Sequence, residues 1–272
     1  MHLAFMTFAT PTWTLQEILA GAIRFGYDGI EPRTVCGHKH GIELELTKAQ
    51  RAEVRAAFAD CGIKMSAVAT SLSYATPDQA RIDERVEETK RYLQLASDLG
   101  SPTIRVFGGQ PPEEMDMAAA VEAVAGALAR CAQTAADCNV NLALETHDAF
   151  SLGKYAGAVV AKVNHPRVGF NWDMAHSVRH GESVAETYEI IKGRVFHSHV
   201  HDITWPEENI HDLTMVTMGT GMVDHREAIR LMAGESADIA LSLEWECEDP
   251  AEVVLPREAA ALRAYMAEVG PG

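Results

Sequence analysis

Three histidines occupy alternate positions in the segment "RVFHSHVHD", residues 194–202. Side chains alternate between the two faces of a β-strand, so His197, His199 and His201 would share one face if this segment is a strand. Imidazole binds divalent metals and acts as an acid or a base near neutral pH. The pattern therefore predicts a chemically active strand, but spacing alone does not say which histidine binds a metal.

Carboxylates end several short apolar runs elsewhere in the chain. The runs "VNLALE", "VGFNWD" and "DIALSLE" finish on Glu145, Asp173 and Glu244. A carboxylate buried at such a position without a partner is costly, which favours a functional role. The further polar candidates of this kind are Glu31, Arg105, His147, His176 and Glu246.

Eight apolar runs rich in β-branched residues alternate with segments of helical period. The predicted strands cover residues 2–8, 28–33, 63–70, 103–109, 140–146, 168–174, 194–201 and 238–246. The predicted helices cover residues 14–25, 47–61, 78–99, 115–138, 153–164, 182–192, 223–234 and 252–269. This alternation predicts right-handed βαβ units, and no glycine-rich dinucleotide turn follows the first strand. We therefore predict an α/β fold, a (β/α)8 TIM barrel that forms a single domain over residues 1–272.

In such a barrel the active site lies at the carboxyl ends of the strands, where these polar residues would meet. The fifth to eighth strands would supply Glu145, Asp173, His199 and Glu244. Three carboxylates and one imidazole suit a divalent cation such as Mn²⁺, Mg²⁺ or Co²⁺ better than they suit a structural zinc site, which would recruit cysteines.

Each candidate also has a structural interpretation. Glu145 would then cap a helix or form a salt bridge, Asp173 would cap the next loop, and Glu244 would pair with Arg105. The same alternative stays open for Glu31, His147 and His176.

Two loops carry further candidates. His38 and His40 in "GHKHG" are either substrate contacts or part of a solvated loop. Loop 203–222, which contains His211, is longer than a typical barrel connection, and we predict that it is a lid. Within it, "MGTGMVD" (218–224) either wraps a phosphate with backbone N–H groups or forms the turn to the next helix.

Composition limits the partners and the location. The formal net charge of -16 argues against nucleic acid and against an anionic membrane surface. We find no apolar run long enough to span a membrane and no signal peptide. Five scattered cysteines without a CxxC pair predict reduced thiols and a cytoplasmic protein.

Six short segments resemble, in chain order, the motifs of the xylose isomerase-like superfamily, and in particular of its sugar phosphate isomerase/epimerase group. They are "GYDGIEPR", "LALETHD", "NWDMAH", "HSHVHD", "MGTGMVD" and "LSLEWE", and they are spread over almost the whole chain. The resemblance implies a metal-dependent enzyme that acts on a small sugar or keto-polyol. It also leaves a homo-oligomer open as an alternative to a monomer.

The resemblance implies a role for each matching residue. The metal ligands are Glu145, Asp173, His199 and Glu244, and His199 is the histidine that stands three residues before Asp202. Glu145 and Glu244 also act as paired acid and base on opposite sides of a cis-enediolate. Mn²⁺ is the first choice of cation, with Mg²⁺, Co²⁺ and Zn²⁺ as alternatives. The predicted substrate contacts are His176, Glu31, Arg105, His201 and Trp205.

Two features separate the activities within the superfamily. Ketohexose epimerases carry an arginine shortly after the histidine strand, whereas this chain has Trp205. "ETH" places His147 close to Glu145, which resembles dehydratases of 3-dehydroshikimate or inosose, where a histidine serves as base for the loss of water. The leading hypothesis is an isomerase or epimerase. The alternatives are a dehydratase that uses the same site and a non-catalytic barrel.

Overall fold

Parallel strands arranged as a barrel form the centre of the structure, a computed structural model that describes residues 1–236, 238–246 and 249–270. The strands are β1 (His2–Met6), β2 (Gly29–Glu31), β3 (Lys64–Met65), β4 (Val68–Ala69), β5 (Thr103–Val106), β6 (Asn141–Glu145), β7 (Val168–Asp173), β8 (Val195–Val200), β9 (Asp202–Thr204), β10 (Thr214–Val216) and β11 (Ala240–Leu243). All strands except β9 and β10 belong to one sheet in the order β3-β2-β1-β11-β8-β7-β6-β5-β4. Neighbouring strands in this sheet pair in parallel.

The third predicted strand closes the barrel in two parts. β3 pairs with β2, and β4 pairs with β5. Between and after them, Ser66 N donates to Ile30 O and Thr70 N donates to Arg105 O, so the same segment bonds to both neighbours. The predicted (β/α)8 barrel is confirmed, with this one interrupted strand.

Helices surround the barrel. They are α1 (Leu15–Phe25), α2 (Lys48–Cys61), α3 (Gln79–Leu99), α4 (Met117–Cys138), α5 (Gly153–Val163), α6 (Met174–Arg179), α7 (Val184–Ile191), α8 (His225–Met232) and α9 (Ala251–Val269). Thr14, Thr47 and Ser183 form capping boxes at the starts of α1, α2 and α7. Among the described helices, none combines the length and the hydrophobicity needed to cross a membrane.

Alternation along each strand separates the core from the barrel axis. In β6, Leu142 and Leu144 belong to the apolar core between sheet and helices. Ala143 and Glu145 are also buried but lie on the other face, towards the axis. The polar residues at the carboxyl ends of the strands are therefore directed into the mouth of the barrel.

One short helix and one hairpin of two short strands were not predicted. α6 begins directly after β7, because the Asp173 side chain caps its first turn by accepting hydrogen bonds from Ala175 N and His176 N. β9 and β10 form an antiparallel hairpin that begins at Asp202 and otherwise lies within the predicted lid segment 203–222. The helix and the two strands are each too short to produce a periodic signal in the sequence.

Candidate active site

Four strands bring one ligand atom each to a common point at the mouth of the barrel. Glu145 ends β6, Asp173 ends β7, His199 lies in β8, and Glu244 directly follows β11. Asp173 and His199 are register partners, and Glu244 N donates to Val200 O. The four ligand atoms lie within 4.8 Å of one another, and all four residues are buried. The structure thus brings together the four residues predicted to bind a metal.

Negative charge dominates this cluster. His199 Nδ1 lies 3.0 Å from Glu145 Oε1 and 3.2 Å from Glu244 Oε2. Burial by itself lowers the pKa of His199, but the carboxylates of Glu31, Glu244 and Glu145 raise it well above its usual value. A site that favours the cationic form of its imidazole so strongly also favours a bound cation.

The two carboxylate oxygens of Asp173 differ: one accepts hydrogen bonds from the backbone, and the other has no hydrogen-bond partner among the described residues. Oδ1 accepts hydrogen bonds from the first turn of α6, whereas Oδ2 has no hydrogen-bond partner in the part of the chain that the structure describes. Burial raises the pKa of this carboxyl. The capping interpretation of Asp173 therefore holds and still leaves Oδ2 available to a metal.

Glu31 lies on the other side of the His199 ring. Both of its carboxylate oxygens are 3.1 Å from His199 Nε2, and Ser242 Oγ donates to Glu31 Oε2 at 2.6 Å. Burial would raise the pKa of Glu31, but His197 and His199 lower it to about 2. A histidine that ligates through one nitrogen commonly donates its other N–H to a carboxylate. The predicted contact of Glu31 with substrate stays a prediction, and the geometry favours a role in orienting His199.

His197 lies deeper along the barrel axis than His199 and is fully buried. Its Nδ1 is 3.0 Å from Asn171 Oδ1. Burial lowers the pKa of His197 to about 4, so the ring is neutral near pH 7 and Nδ1–H donates to that amide oxygen. Its Nε2 is 3.6 Å from Glu31 Oε2, which is too long for a hydrogen bond. His197 thus packs behind the cluster.

Arg105 is buried beneath the cluster. Its Nε forms an ion pair with Glu145 Oε2 at 3.0 Å, and Nη1 donates to Thr70 O at 2.9 Å. Burial raises the pKa of Glu145, but the charges of Arg105 and His199 lower it overall. The salt-bridge interpretation of Glu145 therefore also holds. The described residues show no ion pair between Arg105 and Glu244, which was the structural alternative for Glu244.

Three imidazoles line the mouth above the carboxylates. His201 Nδ1 is 3.7 Å from Glu244 Oε2, and His176 Nε2 is 3.6 Å from Asp173 Oδ2. The rings of His147 and His176 pack edge to face with centroids 4.0 Å apart. Burial lowers the pKa of His176 well below its usual value, so this ring is neutral. The mouth therefore offers imidazole groups, including the neutral ring of His176, at the height where a bound substrate would lie.

His147 is paired with its neighbour in sequence. His147 Nδ1 lies 2.9 Å from Asp148 Oδ1, and Asp148 has a φ of 49°, in the left-handed region. Burial lowers the pKa of His147, but the hydrogen bond to Asp148 and the charge of Glu145 raise it to about 9. The pair directs Nδ1–H at Asp148, keeps the ring protonated near pH 7 and leaves Nε2–H for other partners. Sequence reasoning did not single out Asp148, Asn171 or Ser242.

The glycine-rich turn is filled by a carboxylate of the chain itself. Asp202 Oδ2 accepts hydrogen bonds from Gly219 N and Gly221 N, both at 2.8 Å, and Oδ1 accepts from Ile203 N and Val223 N. These N–H groups are the ones that a phosphate would need. Of the two interpretations of "MGTGMVD", the structural turn is correct, and the Asp202 carboxylate holds it in place.

His38 and His40 are buried rather than solvated. His40 Nδ1 accepts from Ile42 N at 2.9 Å, so its Nε2–H donates to Thr7 Oγ1. The Thr7 hydroxyl then contacts His38 Nδ1 at 3.1 Å. This chain of hydrogen bonds fixes the loop after β2.

The loop after β8 holds the remaining candidates. Trp205 is half-buried against the core, while His211 and Glu246 are exposed. The structure therefore does not bring Glu246 into the cluster. Whether segment 203–222 closes over the mouth stays a prediction.

The fold is shared with several solved structures. One is described as the IOLI protein with a bound zinc atom, with a TM-score of 0.81, 20% identity and coverage of 99% of this chain and 98% of that one. An L-ribulose 3-epimerase has a TM-score of 0.80, 17% identity and coverage of 98% and 95%. The probable 3-DHS dehydratase AsbF from Bacillus anthracis has a TM-score of 0.78, 19% identity and coverage of 97% and 99%. No curated protein matches the chain by sequence.

The family can be assigned from the sequence. Residues 19–265 match the model of the family described as xylose isomerase-like TIM barrel. The resemblance inferred from the six motifs is thereby confirmed, and with it the prediction of an enzyme of this superfamily. The chain belongs to the xylose isomerase-like TIM barrel family.

Proposed function

We propose that the protein is a divalent-metal-dependent isomerase or epimerase of a small sugar or keto-polyol. The observation that carries the proposal is the placement of Glu145 and Glu244 on either side of His199 Nδ1, at 3.0 and 3.2 Å. Two carboxylates that flank one point are suited to remove a proton from one face of a substrate carbon and return it to the other.

The residues present fit a divalent cation. Glu145, Asp173, His199 and Glu244 would hold it, and Asp173 Oδ2 is a buried oxygen that lacks a hydrogen-bond partner among the described residues. Such a cation would polarise the carbonyl of the substrate and offset the negative charge that develops when the neighbouring proton leaves. The oxygen-rich donor set makes Mn²⁺ our first choice, with Mg²⁺, Co²⁺ and Zn²⁺ as alternatives.

The two glutamates have different environments, which suits different roles. Both oxygens of Glu145 have a charged neighbour, Arg105 on one side and His199 on the other. The Glu244 side chain is 10% exposed, lies nearer the mouth and contacts His201. We assign Glu244 as the group that takes the substrate proton, and Glu145 as the partner on the opposite face. Their proton affinities are set apart by these neighbours, as paired acid–base catalysis requires.

The remaining residues position substrate and ligands. His176, His201 and Trp205 line or border the mouth, and we propose that they contact the hydroxyl groups of the substrate. Arg105 and Glu31 are buried behind Glu145 and His199, and we propose that they act by orienting these two residues.

One observation favours a second activity. The His147–Asp148 pair at 2.9 Å holds a positioned acid–base group, because the carboxylate orients the ring and raises its pKa to about 9. In its deprotonated form, which becomes abundant as the pH approaches 9, this ring could remove the proton in a β-elimination, which makes a dehydratase of the 3-dehydroshikimate or inosose type the alternative.

One experiment separates the two activities. The protein loaded with Mn²⁺ is incubated in D₂O with ketohexoses, inosose and 3-dehydroshikimate, and the products are analysed by mass spectrometry. An isomerase or epimerase incorporates deuterium at carbon and keeps the composition otherwise, whereas a dehydratase gives a product lighter by one water. Metal binding with no turnover of any of these compounds would contradict both proposals and support a non-catalytic barrel.

A further inference from the structure

A large cavity lies at the amino-terminal ends of the barrel strands, opposite the carboxylate cluster. Its volume is about 710 Å³. The first residues of β1, β3, β5 and β6 line it, namely His2, Lys64, Thr103 and Asn141, together with part of α2. None of the residues assigned above to the metal or to the substrate contributes to its wall.

The rim of this cavity is positively charged. Arg55, Lys64 and Arg167 line it, and Asp238 is the one carboxylate among its described lining residues. Asp238 is 3.8 Å from Lys64, and the two side chains are 87% and 53% exposed, so this pair is weak. Arg167 donates to the side-chain amides of Asn139 and Asn141, which are neutral. Three cations at one opening are notable in a chain whose net charge is -16.

Unpartnered neutral groups lie further inside. His2 is 8% exposed and Ser66 is 3% exposed. Among the described residues, the two ring nitrogens of His2 have no hydrogen-bond partner. The hydroxyl of Ser66 has none either. Burial lowers the pKa of His2 to about 4, so the ring is neutral near pH 7 and offers one donor and one acceptor. Buried polar groups usually have hydrogen-bond partners, and these two line a cavity in which a polar ligand could supply them.

We propose that this cavity binds a small organic anion that carries hydroxyl groups, such as a phosphorylated polyol. Arg55, Lys64 and Arg167 bind its anionic group, for which guanidinium has a matching geometry. His2 and Ser66 hydrogen-bond its hydroxyl groups. A simple inorganic anion would use the rim alone and would leave both inner groups without partners. The site is separate from the metal cluster, so its occupancy does not depend on the proposed activity.

Calorimetric titration of the full chain tests this assignment with three probes: inorganic phosphate, glucose 6-phosphate and glucose. We expect saturable binding of one glucose 6-phosphate per chain, binding of inorganic phosphate about tenfold weaker, and no binding of glucose. Arg167→Gln should weaken glucose 6-phosphate binding by about tenfold, since one charge-assisted contact is lost. Ser66→Ala should weaken it while leaving the affinity for inorganic phosphate unchanged.

Two control variants make the result interpretable. Arg91→Gln removes an exposed cation of α3 outside the cavity and should leave binding unchanged. His176→Asn alters the mouth of the barrel and should also leave it unchanged, and circular dichroism verifies that each variant is folded. The proposal is overturned by the absence of saturable binding, by equal affinity for the two phosphates, or by equal weakening in Arg91→Gln and Arg167→Gln. It is also overturned if His176→Asn abolishes binding and Arg167→Gln does not, because the sugar phosphate then binds at the mouth.

Discussion

His199 Nε2 lies 3.1 Å from the carboxylate of Glu31, although the two residues are 168 positions apart in the chain. The other nitrogen of the same ring faces Glu145 and Glu244. One imidazole thus connects the carboxylates that would hold a metal to a carboxylate that would hold the imidazole. The carboxylates of the site therefore have two roles: Glu145 and Glu244 would bind the metal, and Glu31 would orient His199.

Replacement of Glu31 by Gln should therefore weaken metal binding without removing a ligand. Glu31→Gln keeps the shape of the side chain but removes the charge that orients His199, and loss of such a partner lowers metal affinity by about 10–100-fold. Mn²⁺ affinity can be measured by competition with a chelating indicator. Glu122→Gln, on the exposed surface of α4, is the control and should bind Mn²⁺ like the unaltered protein. Equal Mn²⁺ affinities of Glu31→Gln and the control would show that Glu31 does not orient the ligand.

The paired glutamates should be indispensable for turnover. Glu145→Gln and Glu244→Gln each remove a proton acceptor, so the rate should fall by at least about 100-fold with the fold intact. Turnover of the substrate found in the D₂O experiment and circular dichroism are the measurements. Glu246→Gln, two residues beyond Glu244 but exposed, should retain the rate. Near-normal turnover of either buried variant would refute the paired acid–base assignment.

Variants of the His147–Asp148 pair should distinguish the two proposed activities. In a dehydratase, His147→Gln removes the base, and the rate should fall by about 100-fold or more. Asp148→Asn should then lower the rate as well, because the ring loses the partner that fixes its tautomer. In an isomerase or epimerase both effects should be small, since Glu145 and Glu244 move the proton. A large loss of deuterium incorporation in Asp148→Asn would contradict the leading proposal.

The stability of the protein should fall on mild acidification. Burial lowers the pKa values of His2, His40 and His225 to about 4, below the usual value near 6.5. Between these values the unfolded chain binds protons that the folded chain does not, so this stability is complete above pH 6.5 and is lost as the pH falls towards 4. Each such histidine contributes a slope of up to about 1.4 kcal/mol per pH unit.

Urea unfolding as a function of pH measures this slope. His40→Asn removes one of these groups, so the free energy of unfolding should depend less steeply on pH between 6.5 and 4. His211→Asn, at an exposed position, should leave the slope unchanged. If His40→Asn and the unaltered protein have the same slope, the His40 ring is not held neutral by the fold.

The sequence predicted the barrel well because strong local signals repeat along it. Apolar runs set the strands, and residues such as Thr47 and Gly62 mark where a helix begins and ends. The interruption between Met65 and Val68 was not predictable, because it depends on how the third strand bonds to two neighbours at once. The short helix after Asp173 was not predicted because no loop separates it from the strand. Asp173 is both the last residue of β7 and the N-cap of α6.

The site was predicted less completely than the barrel. Glu145, Asp173 and Glu244 were identified because a carboxylate at the end of an apolar run has few structural explanations. Glu31 and Arg105 were predicted as substrate contacts rather than as residues that orient His199 and Glu145. Asn171 and Ser242, which contact His197 and Glu31, were missed because nothing in their type or local sequence marks them until the strand register is known. That each of them faces the barrel axis follows from strand alternation, and this signal was available in "FNWD" and "LSLE". The contact of Asp202 with the glycine-rich turn is a long-range relationship that no local pattern contains.

Anomalous diffraction from crystals grown with Mn²⁺ tests the central claim most directly. We predict one strong peak bonded to Glu145, Asp173, His199 Nδ1 and Glu244, with His199 Nε2 still directed at Glu31. Asp173→Asn should weaken that peak, because a buried carboxylate oxygen is lost from the donor set. A Mn²⁺ peak elsewhere in the molecule, or a peak that does not contact both Glu145 and Glu244, would contradict the account.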